Sequence, residues 1–236
     1  MIQSDTKKDE QHRVSAHARR VKQVIDFNER SRVAYNAKAD DYDNSREGQF
    51  TRELQLLLLS QIRWSENQSI LDVACGNGSL LASINERKPI RGYGIDISEQ
   101  MIANAIKKNP DMDFQVAGCE KIPFADNSMD NITVCAAYHH FPDTAAFAKE
   151  AERVLVSGGM VYVADLYIPS FRRLILNPFV PLLLKDGDVR MYSPKGIGRN
   201  FMRFGFERAN STVEGNIQVV SLRKKYSCEA DNGRTC

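Results

Sequence analysis

The residues with the most chemical content lie in Ile70-Leu71-Asp72-Val73-Ala74-Cys75-Gly76-Asn77-Gly78-Ser79. An apolar run carrying one acid breaks into a turn with two glycines a single residue apart. Leu80-Leu81-Ala82-Ser83-Ile84 then begins a helical pattern. Strand, glycine turn, helix is the order by which α/β proteins hold a nucleotide-like ligand at the carboxyl end of a strand. Glycine there adopts dihedrals barred to other residues and lets the backbone approach a ligand closely. Asp96 follows a second short strand, eighteen residues past Gly78. An acid at that distance is placed to accept hydrogen bonds from ribose hydroxyls. The plainer alternative is an acid at a helix start. A dinucleotide site needs a third small residue where this chain has Leu81, so a nucleoside without a pyrophosphate fits better.

Two further groups could carry proton chemistry. His139 and His140 follow an apolar run, at what should be the carboxyl edge of a sheet, where an imidazole could take a proton from an acceptor. Packing and capping before Phe141-Pro142 is the plainer alternative. Asp165 ends another apolar run and faces the same edge; it could orient a substrate or make a structural hydrogen bond. The five cysteines, at 75, 119, 135, 228 and 236, form no CxxC pair and have no basic neighbour in sequence. They read as small apolar residues in a reducing compartment. No metal-ligand spacing is present.

The elements that must position these groups alternate. Strands are predicted at Ser69 to Ala74, Gly92 to Ile95, Phe114 to Val116, Asn131 to Cys135 and Met160 to Ala164, the last after a Gly158-Gly159 turn. Helices are predicted from Thr51 to Arg63, with Leu54, Leu57, Leu58 and Ile62 on one face. Others follow at Leu80 to Glu86, from a Ser98 cap to Lys108, at Thr144 to Leu155 and at Pro194 to Phe204. Phe206 to Val213 and Ile217 to Leu222 flank a link so short that they must be antiparallel neighbours. The fold class is therefore α/β: a Rossmann-like, doubly wound, mostly parallel sheet with one antiparallel strand near the edge and helices on both faces. Residues 1–50 are expected to be an N-terminal arm and helical cap segment, with about the first 25 a mobile arm or frayed helix. Residues 51–236 form the main domain, with a long apolar lid at about 166–192.

The chain resembles the class I S-adenosylmethionine-dependent methyltransferases, in particular the small-molecule group that includes the ubiquinone/menaquinone C-methyltransferases. Ile70 to Gly78 is similar to the first motif of that family, and Gly94-Ile95-Asp96-Ile97-Ser98 to the second. Glu120 to Asp130 resembles the third region. Ala136-Ala137-Tyr138-His139-His140-Phe141 resembles the segment after strand four, and Arg153 to Gly159 the entry to strand five. Tyr35-Asn36 to Tyr42-Asp43 is similar to the family's N-terminal approach. The resemblance covers residues 33 to 165 well and the last seventy in outline. It implies S-adenosyl-L-methionine as cofactor. Ala74, Cys75, Gly76 and Gly78 would line its methionine and ribose, and Asp72 would order the loop or meet its amino group. Asp96 would bind both ribose hydroxyls and Ile97 would pack on the adenine, with Met101 also at the cofactor. Cys119, with Gly118 and Glu120 beside it, would offer a backbone N–H to that ring. Ala136 would present its carbonyl near the amino group, and Tyr42 would close over the site. Many relatives carry an acid where this chain has Gly118, which leaves adenine recognition to other groups.

The bulk properties narrow the partners. With 236 residues, 32 basic and 30 acidic, the chain is long enough for one sizeable core and lacks an electrostatic footprint for nucleic acid. Arg223-Lys224-Lys225 reads as a solvated strand end. The polar start does not resemble a secretory signal, and the oily stretch from Leu174 to Leu184 is too short to span a bilayer and holds two prolines. A cytoplasmic monomer or homodimer acting on a small-molecule methyl acceptor is expected, with the acceptor and its attacked atom undetermined.

Overall fold

The computed structural model describes residues 27–183 and 186–226. The arm expected before residue 26, and Cys228 and Cys236, lie outside the described residues. The sheet has seven strands: β1 Ser69–Val73, β2 Arg91–Asp96, β3 Asp113–Val116, β4 Met129–Cys135, β5 Leu155–Leu166, β6 Phe206–Glu214 and β7 Ile217–Lys224. Their order is β3-β2-β1-β4-β5-β7-β6. β1 to β5 are parallel, and β7 runs antiparallel to both β5 and β6. One reversed strand beside the edge is what the short Gly215-Asn216 link requires, with Gly215 at a φ of 59°.

Both faces of the sheet are covered, which is why β1 is buried at every position. On one face lie α2 Arg46–Gln61, α3 Ser79–Arg87 and α4 Glu99–Lys108; on the other lie α5 Thr144–Val154 and α8 Pro194–Met202. Leu54, Leu58 and Ile62 of α2 are fully buried against the first face, and Leu57 packs at their margin. Phe147 and Phe201 hold α5 and α8 together over the second, edge to face at 5.7 Å. Ser45, Ser98, Asp143 and Ser193 each accept a main-chain N–H at a helix start. A further helix, α1, covers residues 27–38 and leads through a 3-10 turn at Tyr42–Asn44 into α2. α2 starts five residues before the expected helix, because Ser45 caps it, so the division drawn at 50/51 falls within one helix.

Two local expectations are corrected. The Gly158-Gly159 pair does not precede β5 but lies inside it, with a register shift against β4 between Met129 and Asn131. Gly158, at a φ of 77°, lets the strand bend and continue. The basic cluster at the end of β7 is also not uniformly solvated. Lys224 is only 9% exposed, and its ammonium donates to the carbonyls of Glu152 at 2.6 Å and Leu155 at 2.9 Å and to Asn127 Oδ1 at 3.2 Å. It thereby satisfies carbonyls left over where α5 ends and β5 starts. Removing the ammonium strands those buried acceptors, so Lys224→Ala is expected to lower the free energy of urea unfolding by about 2–3 kcal/mol, while Lys225→Ala changes it by less than about 0.5 kcal/mol.

Candidate active site

Between β1 and β4 the connections change direction, one set running outward through β2 and β3 and the other through β4 and β5. A crevice opens at the carboxyl ends of the strands at such a point. Its floor is the turn after β1. Ala74 and Gly76 take left-handed conformations, at φ 60° and 51°, and Ala136 does the same after β4, at 57°. A non-glycine residue in that region costs of order 1–3 kcal/mol and persists only when neighbours hold it. Here the holders are on β2. The Cys75 N–H donates to the Ile95 carbonyl at 3.0 Å, and the Gly76 N–H donates to Asp96 Oδ2 at 2.9 Å. Asp96 Oδ1 accepts the Ser98 N–H at 2.9 Å. Gly94 is required because a Cβ there would meet the Phe114 ring at 2.5 Å and Cys75 Sγ at 2.9 Å.

The cavity above this floor holds about 890 Å³ of space, including its open mouth. Of the residues singled out from the sequence, Asp72, Ala74, Cys75 and Gly76 line it from the β1 end. Asp96, Ile97 and Met101 line it from β2 and α4, and Tyr42, Cys119, Ala136 and His140 complete it. Four others do not face it. Gly78, at φ 78°, caps α3 from behind, and a Cβ there would lie 2.8 Å from Asn109 Nδ2. His139 sits one layer back. Gly118 lines a separate hollow with Arg32, Ile97, Glu99 and Ala117. Glu120 places a carboxylate oxygen 2.9 Å from where a Gly118 Cβ would stand, so an acid is present at that corner after all, supplied two residues later.

The roof is not the segment expected from the sequence. None of the described residues of 166–192 lines the cavity. The apolar side chains of α6, Ser170–Leu176, turn outward instead, with Phe171 and Leu174 both about three-quarters exposed. The roof is α1, through Asn28, Ser31 and Tyr35. α1 is fastened by polar contacts. Asn36 Oδ1 accepts from Ser98 Oγ at 2.6 Å, Asn36 Nδ2 donates to Glu99 at 2.8 Å, and Lys38 pairs with Asp186 at 2.6 Å. Asn77 Nδ2 donates to the Ala39 carbonyl at 3.0 Å, tying roof to floor. Tyr35 and Tyr42 stood out in sequence as aromatic residues; Asn28 and Ser31 carried no signal.

Burial sets the electrostatics. Asp72 is enclosed, accepts from Thr133 Oγ1 at 2.7 Å, and is pushed up to about 7 by desolvation, with the Asp96 charge adding to the rise. Desolvation also raises Asp96, against the three main-chain N–H groups that favour its ionised form. Two carboxyls thus face one cavity, a setting that favours hydroxyl donors and a cationic group between them. Burial likewise pushes the thiols of Cys75, Cys119 and Cys135 well above their ordinary value, which leaves them unreactive.

The histidines differ from one another. His139 Nδ1 lies 2.6 Å from Asp165 Oδ1, the structural alternative for that acid. Burial opposes its charge, but Asp165 and Asp188 lift it above the ordinary imidazole value. His140 Nε2 lies 3.0 Å from the Tyr35 hydroxyl, and burial together with His139 holds His140 neutral, well below that value. The loop after α7, Val180–Leu183, returns to this pair: the Val189 and Arg190 N–H groups both donate to the His139 carbonyl.

A seven-stranded sheet in this order, with a crevice between β1 and β4 and an acid at the end of β2, is a Rossmann-like fold, and solved methyltransferases share it. A chain from the Haloferax volcanii complex of the Trm112 methyltransferase activator with a methyltransferase superposes with a TM-score of 0.72 at 19% identity, covering 81% of this chain and 98% of that one. Geranyl diphosphate C-methyltransferase from Streptomyces coelicolor A3(2) superposes at 0.61 and 12% identity, covering 73% and 76%. Residues 71–163 match the family described as "Methyltransferase domain". Demethylmenaquinone methyltransferase of Chlorobaculum parvum is 38% identical over 128 residues, 53% of each chain. The ubiquinone/menaquinone biosynthesis C-methyltransferase of Geotalea daltonii is 34% identical over 128 residues, 51% of this chain and 54% of that one. The chain thus spans about half the length of the curated relatives it matches.

Asp72 gives a pH signature. Its value in the folded protein, about 7, lies above the ordinary 3.8, so folding favours the protonated form. That contribution is fully present below the unfolded value and is lost as pH rises toward the folded one. Urea midpoints of the ligand-free protein should therefore fall relative to those of Asp72→Asn between about pH 4 and 7 and run parallel above that range.

Proposed function

We propose that the protein binds S-adenosylmethionine in the crevice between β1 and β4 and transfers its methyl group to a small, largely apolar acceptor of the quinol type. The observation that carries this reading is the pair of buried carboxyls, Asp72 and Asp96, facing one cavity over a turn held in left-handed geometry. The donor set suits that cofactor. Asp96 retains acceptor capacity on both oxygens for ribose hydroxyls, and Asp72 is placed for the amino group. Ile97, Met101 and Ala117 offer an apolar wall for a purine. Glu120, outside the cavity lining, is the acid that stands beside Gly118. The names of the curated relatives support the acceptor class, as do Tyr35, Ala137 and Phe141 at the far end of the cavity.

Bound there, S-adenosylmethionine supplies an electrophilic methyl group on a sulfonium. The chain's own work is to hold the acceptor in line, exclude water and manage a proton on the acceptor. α1 excludes water from above. His140, neutral and hydrogen-bonded to Tyr35, is the group that reaches the acceptor end, and His139 positions it from behind, fixed by Asp165. Among the described residues no helix is long and apolar enough to cross a membrane.

S-adenosylhomocysteine should raise the thermal midpoint of the protein by several degrees while NAD leaves it unchanged, and Asp96→Ala should abolish the response. A shift with NAD alone would sink the reading. Incubation of S-adenosylmethionine with demethylated quinols should give a product one methyl group heavier by mass spectrometry. Binding without turnover on any acceptor would make the protein a cofactor-binding module instead. His140→Ala is expected to slow methyl transfer about 10²-fold or more while the S-adenosylhomocysteine midpoint shift persists; unchanged turnover would remove the histidine from the mechanism.

A further inference from the structure

We propose that His139, His140 and Asp188 form a binding site for one divalent transition-metal cation, zinc-like in its preferences, at the acceptor end of the cavity. The ligand atoms these three residues offer lie within 4.8 Å of one another. The cluster joins the segment after β4 to the loop after α7, so no spacing rule finds it.

The hydrogen bonds around the cluster prepare it for a cation. Asp165 Oδ1, 2.6 Å from His139 Nδ1, keeps a proton on that nitrogen, so in the neutral ring Nε2 carries the lone pair. That lone pair faces Asp188 Oδ1 at 3.5 Å, with Asp188 only 7% exposed. Two electron-rich atoms facing each other away from water call for a positive centre between them, a proton or a metal cation. A separation of 3.5 Å is long for a hydrogen bond, but it is close to the spacing of two ligands on tetrahedral zinc with bonds of about 2.0–2.1 Å. His140 supplies the third ligand. Its Nε2 is taken by the Tyr35 hydroxyl, while its buried Nδ1 makes no hydrogen bond of ordinary geometry, the Gly187 backbone being its polar neighbour.

The surroundings match those of a built site. Metal-bound imidazoles have their second nitrogen held by a carboxylate or another polar group, and here Asp165 and Tyr35 fill those places. The loop bearing Asp188 is pinned by the Val189 and Arg190 N–H groups on the His139 carbonyl, and by Ser31 Oγ on the Asp186 carbonyl at 3.0 Å. Two imidazoles and one carboxylate leave at least one coordination position open. Of the three residues, His140 borders the cavity, so the site adjoins it. An oxygen of the acceptor would bind there and become more acidic than in water. This last role rests on the proposed methyltransferase reading; the cation site does not.

The test uses the full chain, stripped with a chelator and titrated with Co²⁺ and Zn²⁺. One equivalent per chain should bind with a dissociation constant below about 10 µM, and Co²⁺ should give visible absorption from a low-symmetry nitrogen and oxygen site. Asp188→Asn and His139→Ala should each weaken binding by at least about tenfold. S-adenosylhomocysteine should still raise the thermal midpoint of Asp188→Asn, which shows that the variant is folded. Failure of the wild-type protein to hold one equivalent, unaltered affinity in Asp188→Asn, or an intense near-ultraviolet thiolate band assigning the metal to cysteines would each overturn the proposal. Metal binding without any S-adenosylhomocysteine shift would uphold the site and reject the methyltransferase reading; the reverse would do the opposite.

Discussion

The carboxylate of Asp96 is the tie on which the site depends. One oxygen holds the Gly76 N–H and the other holds the Ser98 N–H. The first bond fixes the turn after β1 in a conformation that Ala74 adopts only at a cost. The second starts α4, whose cap Ser98 also anchors Asn36 of the roof. A single side chain thus couples the floor, one wall and the cover. It can do so because β1 and β2 are parallel neighbours in register, with Asp72 opposite Gly94 and Val73 opposite Ile95, which brings the ends of both strands to one level.

Burial then decides the chemistry of each group. Asp72 and Asp96 share an enclosed crevice, and desolvation holds both nearer to their neutral forms than in water. His139 and His140 are adjacent in sequence and opposite in behaviour. A carboxylate at 2.6 Å favours charge on the first, while burial beside that charge keeps the second neutral. The difference arises from partners, not from residue type.

The roof is held differently from the rest. The sheet is gripped by two apolar clusters, whereas Asn36, Lys38 and Arg32 of α1 pair with Glu99 and Asp186, which are at least partly exposed. Such pairs contribute little each. The segment that must admit a ligand is therefore one fastened largely by polar contacts. The segment expected to serve as lid, 166–192, keeps its apolar α6 side chains outward, and among its described residues Asp186, Asp188 and the main chain around them meet the site.

What the sequence determined by itself is local. Apolar runs of strand length, helical spacing of Leu54, Leu58 and Ile62, serine caps and the short Gly215-Asn216 link set the elements, the parallel sheet and its one reversed strand. The glycine turn and Asp96 marked the crevice, because backbone conformation and strand-end placement depend on near neighbours. Only the tertiary structure decided which side chains meet across long separations. It brought Tyr35 to His140, Asp188 to His139, Glu120 to the corner beside Gly118 and Lys224 to the carbonyls between α5 and β5. It also turned Gly78 away from the cavity and moved the roof from 166–192 to α1. Such pairings follow from the packing of helices and loops onto the sheet, and a spacing along the chain does not carry that geometry.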